Sequence, residues 1–213
     1  MPNRDLNNMR ESYESSFLLE EHCDSDPFIQ FDKWFHHAVD AKIAEPNALT
    51  LATVGNNGQP SARIVLLKSF SHDGFIFYTN YESKKGREMM ENNKVALLFW
   101  WQERQVRIEG VVKKADRISA EKYFHSRPKD SQIGAVISPQ SQVLKNRFIL
   151  EERFKETEEE FKEKEIPLPD NWGGYIVEPD LFEFWQGRVS RLHDRIQYTL
   201  SSEHKWMIER LAP

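Results

Sequence analysis

A small antiparallel β-barrel decorated with helices, mainly β within an α+β fold, is what this sequence of 213 residues predicts. Three observations carry that expectation. Short runs with strand character follow one another from Ala48 onward and are joined by turns bearing Gly, Asn and Asp. Strand and helix signals do not alternate regularly, as a doubly wound sheet requires. Neither the Rossmann nor the P-loop glycine spacing occurs. With 39% hydrophobic residues, 12% of all residues aromatic, the chain can bury a sizeable core without disulfides or metals.

The elements follow in order. Residues 1–26 are polar and aperiodic and read as an N-terminal arm; residues 27–213 read as one domain. Asp26-Pro27 offers an N-cap followed by proline at the first helical position, and Phe28, Phe31, Phe35 and Val39 recur at helical spacing up to about Ala44. ALTLATV, SARIVLLK and FIFYT are then strands, joined through the turns 55–58 and 71–74. A short helix is predicted over Ser83 to Asn92, followed by the strands KVALLFWW and RQVRIEGVVKKA. Asp116 caps a helix that runs through Tyr123 and Phe124, and Asn146 to Lys164 form a charged helix that mostly faces water. Strand signals return in WGGYIVEP, LFEFWQGR, RIQYTL and WMIERL.

Charge and composition exclude several functions. A net charge of -5 repels nucleic acid and anionic membranes taken over the whole chain, so any bound anion needs a local cluster. Residues 63–147 provide one, with sixteen bases against nine acids. The single cysteine, Cys23, allows no intramolecular disulfide. The longest apolar run, Val95 to Trp101, is far short of the ~20 residues of a membrane helix, and the first fifteen residues lack a secretory h-region. A cytoplasmic location is the expectation. The seven histidines form no ligand-spaced set, so no metal site is expected.

Four clusters could carry chemistry. Arg63 and Lys68 bracket RIVLLK and, five apart in an extended strand, point to opposite faces unless a bulge intervenes. Ser83-Lys84-Lys85-Gly86-Arg87 opens a helix, where a bound anion would offset the unfavourable placement of cations at the positive end of the dipole. Tyr123, Arg127, Lys129 and Ser131 offer the donors that phosphate recognition uses, or an ordinary helix end. Near the C-terminus, Arg191, His193 and Arg195 project from one face if 191–195 is extended, with Leu192 facing inward, either toward an anionic or electron-rich partner or into solvent. His193 is a candidate general base, and only Asp194 is at hand to orient it.

The runs RIVLLK (63–68), FYTN (77–80), SKKG (83–86), ERQVRIEG (103–110), YFHSRPKDSQIGA (123–135), PQS (139–141), WGGY (172–175) and FEFWQGRVSRLHDR (182–195) resemble those of the pyridoxamine 5′-phosphate oxidase family. That resemblance covers about residues 27 to 213 and implies an FMN-binding split barrel that forms a homodimer with FMN in clefts between subunits. It implies FMN contacts from Arg63, Ile64, Val65, Leu66, Leu67, Lys68, Tyr78, Thr79, Lys84, Lys85, Gln105, Gln140, Ser141, Trp185 and Arg195. It assigns the substrate phosphate to Lys68, Tyr123, Arg127 and Ser131, and the pyridine ring to the catalytic pair Arg191 and His193. Arg10 and Tyr13 fall in a segment similar to one that folds over the substrate in the family. The implied reaction oxidises pyridoxamine or pyridoxine 5′-phosphate at C4′ to pyridoxal 5′-phosphate, with O2 as acceptor and H2O2 as product. A non-catalytic carrier of pyridoxal 5′-phosphate or flavin is the alternative. Two departures stand out: Lys84 occupies a position where the family often has Arg, and Ser190 one where it often has Asn.

Overall fold

A computed structural model describes Tyr13 and residues 17–213. Among the described residues it contains helices α1 (Pro27–Asp40), α2 (Lys84–Glu91), α3 (Arg117–Ser126), α4 (Lys129–Ile137) and α5 (Phe148–Glu160). The strands are β1 (Ala48–Val54), β2 (Pro60–Leu66), β3 (Ser69–Ser71), β4 (Gly74–Asn80), β5 (Lys94–Trp101), β6 (Arg104–Lys114), β7 (Trp172–Gln186), β8 (Asp194–Leu200) and β9 (Trp206–Arg210). They form one sheet in the order β2-β1-β5-β6-β7-β4-β3, with β8 paired to β7 and to β9. The pairs β1 with β2, β3 with β4, β4 with β7, β7 with β8 and β8 with β9 are antiparallel, as tight turns between consecutive strands require. The α+β split-barrel expectation is met. The chain separates into two compact units: unit one comprises Met1–Pro46, Leu98–Ile108 and Asp180–Pro213, and unit two comprises Asn47–Leu97 and Glu109–Pro179.

Unit one is built on aromatic packing. Asp26 accepts a hydrogen bond from the Phe28 backbone at 2.8 Å and starts α1, and the helix buries Phe28, Phe31, Trp34 and Ala38. The predicted stripe is therefore rotated: Phe35 is half-buried and Val39 is exposed, because Trp34 and Ala38 share the inward face with Phe31. The helix stops at Asp40 rather than near Ala44, where Lys42 turns left-handed (φ 55°) and the Ile43 N–H caps Ala38. Phe31 meets Phe99 at 5.1 Å, Phe28 meets Phe182 at 5.2 Å, and Trp34 meets Phe184 at 5.3 Å.

Unit two buries Leu49, Leu51, Phe75, Phe77, Tyr175 and Val177 from the sheet, and a second cluster of Phe124, Ile133, Ile166 and Trp172 under its helices. α2 starts at Ser83, whose Oγ accepts from the Gly86 N–H at 3.2 Å. Gly86 is required there by close approach: a Cβ would sit 2.1 Å from the Tyr81 carbonyl oxygen. Three sequence expectations are corrected. α4 lies where no helix was foreseen, because its apolar signal is weak and Gly134 interrupts it. The short strand β3 is likewise additional. WGGYIVEP and LFEFWQGR are one strand, since Pro179 falls between the β4 ladder on 172–177 and the β8 ladder on 181–186 and costs neither a hydrogen bond.

Candidate functional site

Unit two contains a cavity of about 560 Å³. Strand β2 contributes Arg63, Ile64, Val65 and Leu66 to its wall, and Lys68 follows from the link to β3. Because β2 ends at Leu66, the strict alternation that would have put Arg63 and Lys68 on opposite faces does not extend to Lys68, and both line the same cavity. Tyr78 and Thr79 come from β4, Lys85 from α2, Tyr123 from α3, and Arg127 and Ser131 from the passage into α4, with Gln140 beyond it.

The cavity holds two groups of donors. In the first, Lys85 Nζ donates to Gln140 Oε1 at 2.7 Å and to Thr79 Oγ1 at 3.1 Å, and Thr79 Oγ1 donates to the same amide oxygen at 3.1 Å. No carboxylate pairs with Lys85 among the described residues. Burial, and then the charge of Arg63, push its ammonium down to about 8. Arg63 is held differently: it donates to the Leu51 carbonyl, Thr53 and Ser61 and pairs with Glu88 at 3.2 Å. Burial raises the Glu88 carboxyl, but hydrogen bonds from Lys84, Ser61 and Thr53 outweigh it and hold the group at about 2.

The second group lies on rings. Tyr78 stacks on Tyr123 at 4.1 Å and on Trp172 at 5.5 Å, within 21° and 11° of parallel. Lys68 Nζ stands 5.8 Å from the Tyr123 ring, and the Arg127 guanidinium 5.0 Å from that of Trp172. Arg127 Nη1 is buried without a hydrogen-bond partner, and burial pushes its guanidinium below its ordinary value. An orphaned cationic N–H in a cavity is expensive unless an anion completes it.

Other predicted residues stand elsewhere. Lys84 is ion-paired with Glu88, one turn on, and is not in the cavity wall. Leu67 is buried, Ser141 is exposed with φ 70°, and neither lines the cavity. Gln105 lies on β6 in unit one, partly exposed. Arg10 lies outside the described residues.

Unit one carries the C-terminal cluster. Trp185 lies 4.7 Å from the His193 ring, and Tyr13 sets its edge against both at 5.9 Å. The Arg188 backbone N–H donates to His193 Nδ1 at 3.1 Å, so the neutral imidazole carries its proton on Nε2 and presents a donor there. The extended row expected over 191–195 is absent: Val189–Arg191 is a 3₁₀ turn, Ser190 and Arg191 have φ of 57° and 59°, and Leu192 is exposed rather than inward. Two consecutive left-handed residues reverse the chain before β8 begins. Arg191 is exposed. Arg195 donates to the buried Glu183 at 2.8 Å, and Arg107 reaches the other Glu183 oxygen at 2.5 Å.

Sequence patterns assigned no role to Trp172, Glu88 or Glu183, although Trp172 and Glu183 fall in the runs WGGY and FEFWQGRVSRLHDR. Glu88 was legible as the i+4 partner of Lys84. The pairing of Glu183 with Arg107 crosses 76 residues and had no local signal.

A split barrel whose cavity sets Lys85 and Arg127, neither paired with a carboxylate among the described residues, beside stacked aromatics is the class of protein that fold and cavity define. Sequence profiles sharpen that class: "Pyridoxamine 5′-phosphate oxidase" matches residues 35–160 and "Pyridoxine 5′-phosphate oxidase C-terminal dimerisation region" matches residues 172–213. A pyridoxine/pyridoxamine 5′-phosphate oxidase of Flavobacterium psychrophilum is 53% identical over 213 residues, covering 99% of this chain and 100% of that protein. The chloroplastic enzyme 1 of Arabidopsis thaliana is 49% identical, covering 100% of this chain and 41% of the longer plant protein. Among solved structures, PhzG of Burkholderia lata, in complex with tetrahydrophenazine-1-carboxylic acid, superposes with a TM-score of 0.88 at 29% identity, over 95% of this chain and all of that one. The chain belongs to the pyridoxine/pyridoxamine 5′-phosphate oxidase family, a family of oxidoreductases. No helix among the described residues is long and apolar enough to cross a membrane.

Proposed function

We propose that this chain oxidises pyridoxamine 5′-phosphate and pyridoxine 5′-phosphate to pyridoxal 5′-phosphate with FMN as cofactor, acting in the cytoplasm as a homodimer with FMN at the subunit interface. Residues 27–213 serve as one FMN-binding domain and residues 1–26 as an arm. The observation that carries the proposal is the pair of incompletely neutralised cations in the cavity, Lys85 and Arg127, each beside its own set of phosphate donors. Two anions are called for, and the proposed chemistry has two phosphorylated ligands.

Lys85, Thr79, Gln140 and Arg63 fit the cofactor phosphate: three hydrogen-bonding groups already converge, and Lys85 is desolvated without a carboxylate. Arg127, Lys68, Tyr123 and Ser131 fit the substrate phosphate, which would complete the orphaned Nη1. Bound FMN would supply the electron-accepting ring that takes hydride from C4′ and returns the electrons to O2 as H2O2. His193, with Nδ1 occupied by a backbone donor, orients the pyridine through its Nε2–H rather than acting as a base at that atom. Arg191, exposed in its turn, is assigned to the same ring, and Trp185 to the flavin.

Anaerobic addition of pyridoxamine 5′-phosphate to the yellow protein tests this. Bleaching of the flavin bands, followed by recovery and peroxide on admitting air, is expected. A protein that stays yellow is a carrier. Arg191→Ala lowers kcat/KM far more than FMN affinity, and equal loss of both would remove Arg191 from its assigned role.

A further inference from the structure

Three segments of unit one converge on the carboxylate of Asp194. Its Oδ1 accepts from Arg210 Nη1 on β9 at 2.8 Å. Its Oδ2 accepts from the Leu18 backbone N–H at 3.1 Å and faces Arg188 Nε at 3.7 Å. Arg210 directs its other donors to the segment before α1. Nε and Nη2 fork onto the two Glu20 oxygens at 2.7 and 2.8 Å, and Nη2 also donates to the Leu18 carbonyl at 2.8 Å. Leu18 is buried. Toward the N-terminus, Phe17 lies 3.6 Å from the Arg188 guanidinium, and Tyr13 contacts Trp185 and His193. Tyr13 also packs on Gly187 so closely that a Cβ there would sit 2.7 Å from its Cγ.

A single surface ion pair fixes little, but a bidentate fork on Glu20, joined to one backbone hydrogen bond from Leu18 to Asp194 and one from Arg210 to the Leu18 carbonyl, defines a geometry. We propose that Arg210 and Asp194 are positioning residues that latch the N-terminal segment at Leu18 and Glu20, so that Tyr13 is held against His193 and Trp185. This rests on the oxidase reading of that cluster. The Arg210 hydrogen bond, followed by one from its own backbone, holds the Glu20 carboxyl at about 2. A depressed carboxylate contributes stability above its unfolded value and loses it only as pH falls through the folded one, so Glu20 stays charged in its pair with Arg210 at any working pH. Ionic strength loosens the partly exposed Arg210–Glu20 pair.

The test uses full-length, flavin-loaded protein carrying Glu20→Gln, Arg210→Gln or Arg210→Lys. Amide hydrogen exchange at Leu18 should quicken by about tenfold in the two Gln variants and less in Arg210→Lys, while the β8 amides keep their protection. The KM for pyridoxamine 5′-phosphate should rise about fivefold with kcat and FMN content little changed. Gly187→Ala, which displaces Tyr13 without touching the ion pairs, should raise KM while leaving Leu18 exchange slow. Unaltered exchange at Leu18 in the Gln variants, or loss of β8 protection with it, overturns the latch. Faster exchange with an unchanged KM overturns the positioning role. A wild-type protein that does not bleach with substrate overturns the oxidase reading and the positioning role together, and the exchange measurement still decides whether the latch exists.

Discussion

Two pairs of cations, one pair in each unit, are handled in opposite ways. In unit one, Arg195 donates to Glu183 and Arg210 to Glu20 and Asp194, and these hydrogen bonds raise both guanidinium groups above their ordinary value. In unit two, burial depresses Lys85 and Arg127, and the cavity supplies neither with a carboxylate. Satisfied cations hold a fold together, whereas cations denied their counter-ions weaken it and wait for a ligand. Substitution of Glu183, which holds two of the satisfied cations, should therefore act on stability, and substitution of Lys85 or Arg127 on binding.

The largest effect expected is at Glu183. Its side chain is 3% exposed and receives Arg107 and Arg195. Glu183→Ala leaves two guanidinium groups without their shared partner and should cost about 3–5 kcal/mol, read as a lowered denaturant midpoint. A cost below about 1 kcal/mol would show that the two arginines find water instead and that the contrast is overstated.

Arg127→Ala should do the reverse. Losing charge-assisted contacts to a substrate phosphate costs about 1.5–3 kcal/mol, so the KM for pyridoxamine 5′-phosphate should rise by about ten- to a hundredfold. The substrate-free protein should be no less stable, because an unpartnered buried N–H disappears. Destabilisation instead would make Arg127 a structural residue stacked on Trp172.

Lys85 gives this contrast a pH dependence. Its folded value of about 8 lies below the ordinary lysine value, so between the two the unfolded chain binds the extra proton and the ligand-free protein gains stability as pH rises. FMN affinity moves the other way. A phosphate needs the charged ammonium, so affinity should be flat from pH 7 to 8 and then fall by up to about tenfold per unit. Lys85→Met should bind FMN weakly at every pH and abolish that slope. Fluorescence titration of the flavin across pH 7 to 10 reads both.

What the sequence revealed divides along the same line. Strands and capped helices were legible because alternation, the Asn57-Gly58 and Asp73-Gly74 turns and the Asp26, Ser83 and Asp116 caps are local signals. The cationic residues of the cavity were legible as types, and their grouping was not: Lys68 joins Arg63 only because β2 ends two residues early. Lys84 and Lys85 looked equivalent in sequence, yet Lys84 is neutralised by Glu88 one helical turn away while Lys85 is left facing Gln140 and Thr79. Nothing in the spacing of 191–195 announced a left-handed pair, since only glycine marks such positions reliably and none is present.

That pair supports the smallest effect. Ser190 and Arg191 hold φ of 57° and 59°, a region that costs an L-residue roughly 1–2 kcal/mol each, and Ser lacks the tolerance that Asn brings to it. Ser190→Gly removes that strain, offset by the greater freedom of glycine in the unfolded chain, and should stabilise the protein by about 0.5–1 kcal/mol in denaturant unfolding. Ser190→Asn should gain a few tenths of that, or about 0.3 kcal/mol. If the turn serves only to reverse the chain into β8, kcat stays as it was in both variants. If the rigidity of the turn also fixes where Arg191 projects, Ser190→Gly gains stability and loses kcat while Ser190→Asn keeps it, which would place strain in unit one at the service of the site, as desolvated charge is in unit two.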